Sequence, residues 1–250
     1  MKLSDFRVLS FDCYGTLIDW ESGIWSALAP LRSRVGAAAG MGLARAGVEL
    51  TREDALAAFA RLESRQQDRT PGMAYPEVLA SVHGQLAAEW DVAGDAAEDA
   101  AFGASIGHWP AFPDTAEALA YLKQHFRLVV LSNVDRAGFA ATQPWLGVAF
   151  DAVYTAQDIG SYKPDVRNFH YLLERLRELG LAQEQVLHVA QSLFHDHVPA
   201  NALGLASAWI DRRGVAGGAT APVAGDVRWD FRFGSLGELV KAHRGGSSGS

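Results

Sequence analysis

Five short apolar runs constrain this chain more than any other feature: Val8–Phe11, Leu128–Leu131, Ala152–Tyr154, Val186–Val189 and Ala206–Ile210. Each is short for a helix, most are rich in β-branched residues, and each stops where polar residues begin. Continuous apolar runs of this kind suit strands buried on both faces, as in a parallel sheet. Helix-period segments lie between them. Thr115–His125 places Ala118, Leu119 and Leu122 on one face. Val166–Leu179 repeats Phe169, Leu172, Leu173, Leu176 and Leu179 at the i, i+3, i+4, i+7 spacing. Strands alternating with helices predict an α/β fold with a doubly wound parallel sheet, a Rossmann-like core. In such sheets reactive groups gather beyond the carboxyl ends of the strands. Here those positions hold Asp12, Ser132, Asn133, Gln157, Asp158, Gln191 and Ser192, with Lys163 a little further on.

The alternation breaks between about Trp20 and Pro110, a stretch rich in alanine and leucine with no convincing strand. Thr51 with Asp54 three residues later marks a helix start. Leu56, Phe59 and Leu62 or Glu63 then mark one helical face, and Thr70-Pro71-Gly72 breaks it. Tyr75–Trp90 is amphipathic through Val78, Leu79, Val82 and Leu86. Residues 20–110 therefore read as a helical cap inserted after the first strand, covering the sheet's carboxyl edge. Residues 1–19 and 111–244 read as the core, and Gly245–Ser250, a Gly-Ser run, as a linker outside the fold. A chain of 250 residues is long enough for both units.

The formal charge of −7 leaves no basic field for nucleic acid or an acidic membrane. A small anionic substrate needs a local positive pocket. The single cysteine, Cys13, excludes an internal disulfide and fits a reducing compartment. With no secretory pattern and no run approaching the roughly 20 apolar residues of a membrane span, a cytoplasmic location is expected.

The segment Phe11-Asp12-Cys13-Tyr14-Gly15-Thr16-Leu17 places a carboxylate directly after a buried strand and before a glycine turn. Further on come Leu131-Ser132-Asn133, Tyr162-Lys163-Pro164-Asp165 and Ala190-Gln191-Ser192-Leu193-Phe194-His195-Asp196. In this order and spacing the four segments resemble the motifs of the haloacid dehalogenase-like superfamily, over Asp12 to Asp196. The first motif has Tyr14 where the phosphatases carry a second aspartate, as in the type II 2-haloacid dehalogenases. Gln191 stands where the phosphatases carry a metal-binding aspartate. Only Asp12 and Asp196 then remain as anionic ligands, a weak site for magnesium. No metal or cofactor is expected.

Without metal, an ionised Asp12 can attack carbon and form an ester that water hydrolyses. Lys163 would keep Asp12 ionised and offset substrate charge. Thr16 and Ser132 would hydrogen-bond the nucleophile or a substrate carboxylate, and Asp196 would orient Lys163 or the water. Cys13, Tyr14, Trp20, Asn133, Ser192 and Phe194 are the residues expected around the substrate, although extended-chain alternation turns Cys13 away and makes it a buried small residue. Trp25 reads as packing between cap and core. The His195-Asp196-His197 triplet lacks a third ligand at metal spacing.

The resemblance implies hydrolysis of an L-2-haloacid to a 2-hydroxyacid and halide, and a homodimer. Three departures stand beside it. The family's Ser-Ser-Asn-Ala-Trp-Asp run is altered at Ala190–Asp196, and its tyrosine six residues after the lysine is Phe169. The cap arginine that cradles the halide has no clear match, for Arg61 and Arg65 flank Glu63. An acidic group there would repel a halide but bind or protonate an amine. That feature is similar to a related branch which opens the ring of azetidine-2-carboxylate by attack of the same aspartate. A magnesium-dependent phosphatase and a silent binding module are the remaining alternatives.

Overall fold

The computed structural model describes residues 1–40, 50–214 and 226–247. Six strands are present among them: β1 (Val8–Phe11), β2 (Arg127–Ser132), β3 (Ala152–Thr155), β4 (Val186–Ala190), β5 (Ser207–Ile210) and β6 (Phe231–Phe233). They form one wholly parallel sheet in the order β3-β2-β1-β4-β5-β6. All five expected runs are strands. The Phe-Arg-Phe of β6 was not expected. It pairs with Ala208–Ile210 at the sheet's edge, where both phenylalanines stay partly exposed.

The order reverses at β1, the topological switch point where open α/β sheets form their crevice. Phe11 lies level with Val130 of β2 and Val189 of β4. The chain leaving β1 therefore emerges beside Leu131-Ser132 and Ala190-Gln191.

Among the described residues the stretch after β1 carries helices α1 (Trp20–Ala27), α2 (Ala29–Gly40), α3 (Arg52–Arg69), α4 (Tyr75–Glu89) and α5 (Ala96–Gly103). Thr51 Oγ1 accepts the Asp54 N–H at 3.1 Å, so α3 starts at the cap read from the sequence. It turns Leu56, Phe59 and Leu62 inward, and α4 buries Val78, Leu79, Val82 and Leu86. The remaining helices flank the sheet: α6 (Thr115–Leu122), α7 (Arg136–Leu146), α8 (Ala156–Ile159), α9 (Arg167–Glu178), α10 (Val198–Ala202) and α11 (Leu236–Ser247). Val8, Val129 and Leu131 meet Phe169, Leu172 and Leu176 of α9 on one face. The alternate residues Leu9, Phe11 and Val130 belong to the larger cluster with Ala118, Leu119 and Leu122 of α6. Residues 245–247 of the Gly-Ser tail continue α11, and 248–250 lie outside the described residues.

Trp109 plugs the seam where the chain returns from α5 toward the sheet. It is 1% exposed, its indole stands edge-on to Tyr14 with centroids 5.6 Å apart, and Nε1 donates to Ser105 Oγ at 3.1 Å. A Cβ added to Gly23 of α1 would collide with this ring. Replacing an unstrained helical glycine by alanine ordinarily stabilises by about 0.4–1 kcal/mol. Here the overpacking cost of about 1–3 kcal/mol wins. Gly23→Ala is expected to lower the melting temperature by several degrees; an unchanged or higher value in thermal denaturation would show that Trp109 is not locked in place.

Candidate active site

Asp12 is anchored at the end of β1 by its N–H, which donates to Val189 O at 3.1 Å. The turn after it needs glycine: Gly15 has φ +101°, and a Cβ there would sit 3.2 Å from Gln191 Oε1 and 3.3 Å from the Trp20 indole. The turn brings Thr16 back over the strand end. Its hydroxyl donates to Asp12 Oδ2 at 2.7 Å and accepts the Gln191 N–H at 2.9 Å. Arg212, not singled out from the sequence, holds the turn from behind, donating to Thr16 O at 2.8 Å and to Asp114 Oδ1 at 2.6 Å.

The Lys163 ammonium spends all three donors: on Asp12 Oδ1 at 2.9 Å, Asp196 Oδ1 at 2.7 Å and Leu131 O at 3.0 Å. Its backbone is pinned by Asn133, which accepts the Lys163 N–H at 2.6 Å and donates to its carbonyl at 2.9 Å. Asn133 was expected to hold substrate; its amide is instead committed to the lysine. Asp196 lies in a π-helical turn, Leu193–His197, and its Oδ1 also meets His188 Nε2 at 2.9 Å. Two buried oxygens lack a hydrogen-bond partner here, Ser132 Oγ and Asp196 Oδ2.

Two carboxylates share one ammonium and titrate as a unit. Burial opposes ionisation of Asp196, but Lys163 and His188 outweigh it and hold that carboxyl well below the usual range. Asp12 is raised by burial and by the neighbouring Asp196, which Lys163 and Thr16 offset only in part. Burial also works against the Lys163 charge, yet the two carboxylates hold its pKa above the ordinary value. The result is an ammonium that stays charged beside a carboxylate more basic than a free aspartate.

These groups form the floor of a cleft roofed by α1, α3 and α4. Asp12, Ser132, Asn133, Lys163, Gln191, Ser192, His195 and Asp196 line it from the sheet side, and Tyr14, Trp20, Phe59, Glu63, Ser64, Gln67 and Tyr75 from above. Of the expected residues, Tyr14, Trp20, Glu63, Asn133 and Ser192 thus line the cleft. Cys13 is not: it is wholly buried in the core, as strand alternation dictates. Phe194 does not line the cleft either; its ring packs edge-on against His195 with centroids 5.0 Å apart. The apolar wall is built from Trp20 and Phe59, whose rings lie 5.8 Å apart. Arg61 points away to pair with Glu89 at 2.6 Å, and Arg65 is exposed. Gln157 and Asp158, expected at the strand ends, serve Arg136 and the Thr155 cap instead.

The roof holds an unusual acid. Tyr75 OH donates to Glu63 Oε1 at 2.6 Å, and burial pushes the Glu63 carboxyl up to about 7. Tyr14 stays a neutral phenol, its pKa raised by burial, and shares a hydrogen bond of 2.9 Å with Thr142. His195, with Nδ1 3.2 Å from Ser192 Oγ, is held near 4 by burial. Sequence reading missed Tyr75, Gln67 and His195, whose helical spacing marks a face but not a cleft.

The donor set does not fit magnesium, which wants six hard oxygens in octahedral array. Asp12 has both oxygens engaged, by Lys163 and Thr16, and only Asp196 Oδ2 is uncommitted. Among the described residues no group of three or more His, Cys, Asp or Glu is placed to hold a metal ion. No helix there is long and apolar enough to cross a membrane.

Glu63 also makes a stability prediction. Its folded pKa lies above the ordinary 4.5, so its contribution is complete below that pH and is lost as the pH rises through about 7. Glu63→Gln is expected to remove this slope, gaining about 2 kcal/mol relative to wild type at pH 8 after screening by cleft water. Urea titrations at pH 5 and pH 8 check it; parallel curves for the two proteins would place Glu63 in an ordinary solvated setting.

Comparisons with known proteins agree with this geometry. The profile of the haloacid dehalogenase-like hydrolases matches residues 6–192. No curated protein sequence matched. Among solved structures the chain resembles the L-2-haloacid dehalogenase PA0810 with a TM-score of 0.74 at 25% identity, covering 94% of this chain and 98% of that one. It also resembles the L-2-haloacid dehalogenase of Xanthobacter autotrophicus with chloropropionic acid covalently bound (TM-score 0.72, 20% identity, 96% and 99% covered). A third likeness is to the putative hydrolase YfnB from Bacillus subtilis bound to magnesium (TM-score 0.72, 19% identity, 96% and 99% covered). With the matched profile spanning every strand-end group from Asp12 to Ser192, the chain belongs to the haloacid dehalogenase-like hydrolases.

Proposed function

We propose that this hydrolase acts on a small 2-substituted carboxylic acid through a covalent ester on Asp12, with a 2-haloacid as its substrate. The observation that carries the reading is the floor of the cleft, where Lys163 and Thr16 hold Asp12 beside Ser132 and the donors for magnesium are lacking. The likeness to L-2-haloacid dehalogenases supports it.

In the first step an Asp12 oxygen attacks C2 of the substrate. The new C–O bond forms as the carbon–halogen bond breaks, and the halide leaves with its electron pair. The Ser132 hydroxyl, with no partner in the protein, holds the substrate carboxylate, and Lys163 offsets its charge. Trp20 and Phe59 close the apolar side and exclude water. In the second step water adds to Cγ of Asp12, oriented by Asp196. The Cγ–O bond to the product breaks, one water proton ends on the product hydroxyl, and the other is released as Asp12 returns to carboxylate.

A second reading concerns the leaving group. Among the described residues Lys163 is the only lysine or arginine that lines the cleft, and Glu63 stands in the roof as a neutral acid below about pH 7. Such a group protonates or binds an amine better than it receives a halide. It favours carbon–nitrogen cleavage of the azetidine-2-carboxylate type by the same attack of Asp12.

A single turnover in oxygen-18 water separates these readings. With 2-chloropropionate, label is expected in the Asp12 carboxylate together with chloride and lactate; with azetidine-2-carboxylate, the same label with a ring-opened hydroxyacid. Asp12→Asn is expected to abolish turnover, and EDTA to leave it unchanged. Glu63→Gln should slow only the amine reaction, by about 10²-fold or more. Label confined to product, or phosphate release that depends on magnesium, would falsify the aspartyl-ester reading.

A further inference from the structure

The imidazole of His188 takes no part in the steps above, yet it touches Asp196, which the second of them uses. It sits on β4, fully buried, two residues before the strand ends at Ala190. Nε2 lies 2.9 Å from Asp196 Oδ1 and Nδ1 lies 3.3 Å from Ser10 Oγ, while the ring stands edge-on to Phe169 with centroids 5.0 Å apart. Asp196 is ionised, so its oxygens only accept. His188 must therefore present a hydrogen on Nε2 to Oδ1.

Two donors thus converge on one oxygen of Asp196, Lys163 at 2.7 Å and His188 at 2.9 Å, while Oδ2 has no partner. A carboxylate held by Lys163 alone can turn about its Cβ–Cγ bond and offer either oxygen to the ammonium. With His188 present, that rotation breaks a buried hydrogen bond. Oδ2 is then left as a fixed acceptor in a residue that lines the cleft.

We propose that His188 is a positioning residue for the second half of the reaction: by fixing Asp196 it keeps Oδ2 in place to orient the water that attacks the Asp12 ester. The inference rests on the aspartyl-ester reading. Attack of Asp12 on C2 uses Asp12, Lys163 and Thr16, none of which His188 touches. Only the water step needs the aimed oxygen, so loss of His188 should separate the two steps.

Rapid-quench single turnovers with 2-chloropropionate test this, following chloride release and, by intact-protein mass, the ester. His188→Leu is expected to release chloride at about the wild-type rate while ester decay slows by about 10²-fold, the usual consequence of a misplaced reacting group. The ester should accumulate, and kcat and KM should fall together. His188→Gln, which keeps an N–H at the Nε2 position, is expected to restore most of the decay rate, and His188→Asn, which is too short, is not. The glutamine and asparagine variants keep a polar group at the buried site, so the comparison survives if the leucine variant misfolds. Equal slowing of both steps, or equal decay in the glutamine and asparagine variants, overturns the positioning role. A wild-type protein that forms no ester overturns the aspartyl-ester reading, and this inference with it.

Discussion

The ammonium of Lys163 holds this site together. Burying such a charge costs several kcal/mol even after relaxation. It is tolerated because Asp12, Asp196 and the Leu131 carbonyl converge on it within 3.0 Å. Removing one member of a buried pair of this kind costs about 3–5 kcal/mol, whereas an exposed pair such as Arg61–Glu89 contributes less than about 1 kcal/mol. The three partners come from the ends of β1, β2 and β4, so the sheet's strand order brings the site together. Asn133 completes the link by tying the lysine's backbone to the segment after β2. Fold and chemistry therefore share their strongest contact.

That contact also divides the labour between the carboxylates. Each accepts two side-chain hydrogen bonds, so the balance of those contacts against burial decides which becomes the weaker base. Asp196, held by Lys163 and His188, is kept low; Asp12, held by Lys163 and Thr16 but raised by burial, is the more basic of the two. A third acid, Glu63, sits far enough into the roof to be governed by burial and Tyr75 instead. Three acids in one cleft thus differ through their neighbours alone.

The core was legible because its signal is local. Continuous apolar runs named five strands, and β1 emerged with the bounds Val8–Phe11. β6 escaped because Phe-Arg-Phe is three residues long and alternates like an edge strand. Asp12, Ser132 and Lys163 could be grouped because parallel strands deliver their ends to one edge, and Thr16 and Asp196 joined them through the motif resemblance. What could not be read was which face of the roof helices meets that edge. Arg61 and Glu63 are two residues apart on α3, so they point in different directions, and only packing against α4 decides which enters the cleft. Asn133 and His188 were obscure for another reason. Their roles are hydrogen bonds to groups 30 and 8 residues away, with no periodic trace in the chain.

The unpartnered atoms give the cleft its direction. Leaving a buried polar oxygen without a donor costs about 1–3 kcal/mol, and a fold selected for stability alone would satisfy or replace it. Two such oxygens, Ser132 Oγ and Asp196 Oδ2, sit on the cleft floor flanking a lysine whose own donors are all engaged. The lysine is thus held rigid while its neighbours keep capacity for a ligand. Such an arrangement leaves two open hydrogen-bonding positions on either side of a fixed charge. The packed rings of Trp20 with Phe59 and of Tyr14 with Trp109 make the rigid surroundings in which such unpartnered oxygens can persist.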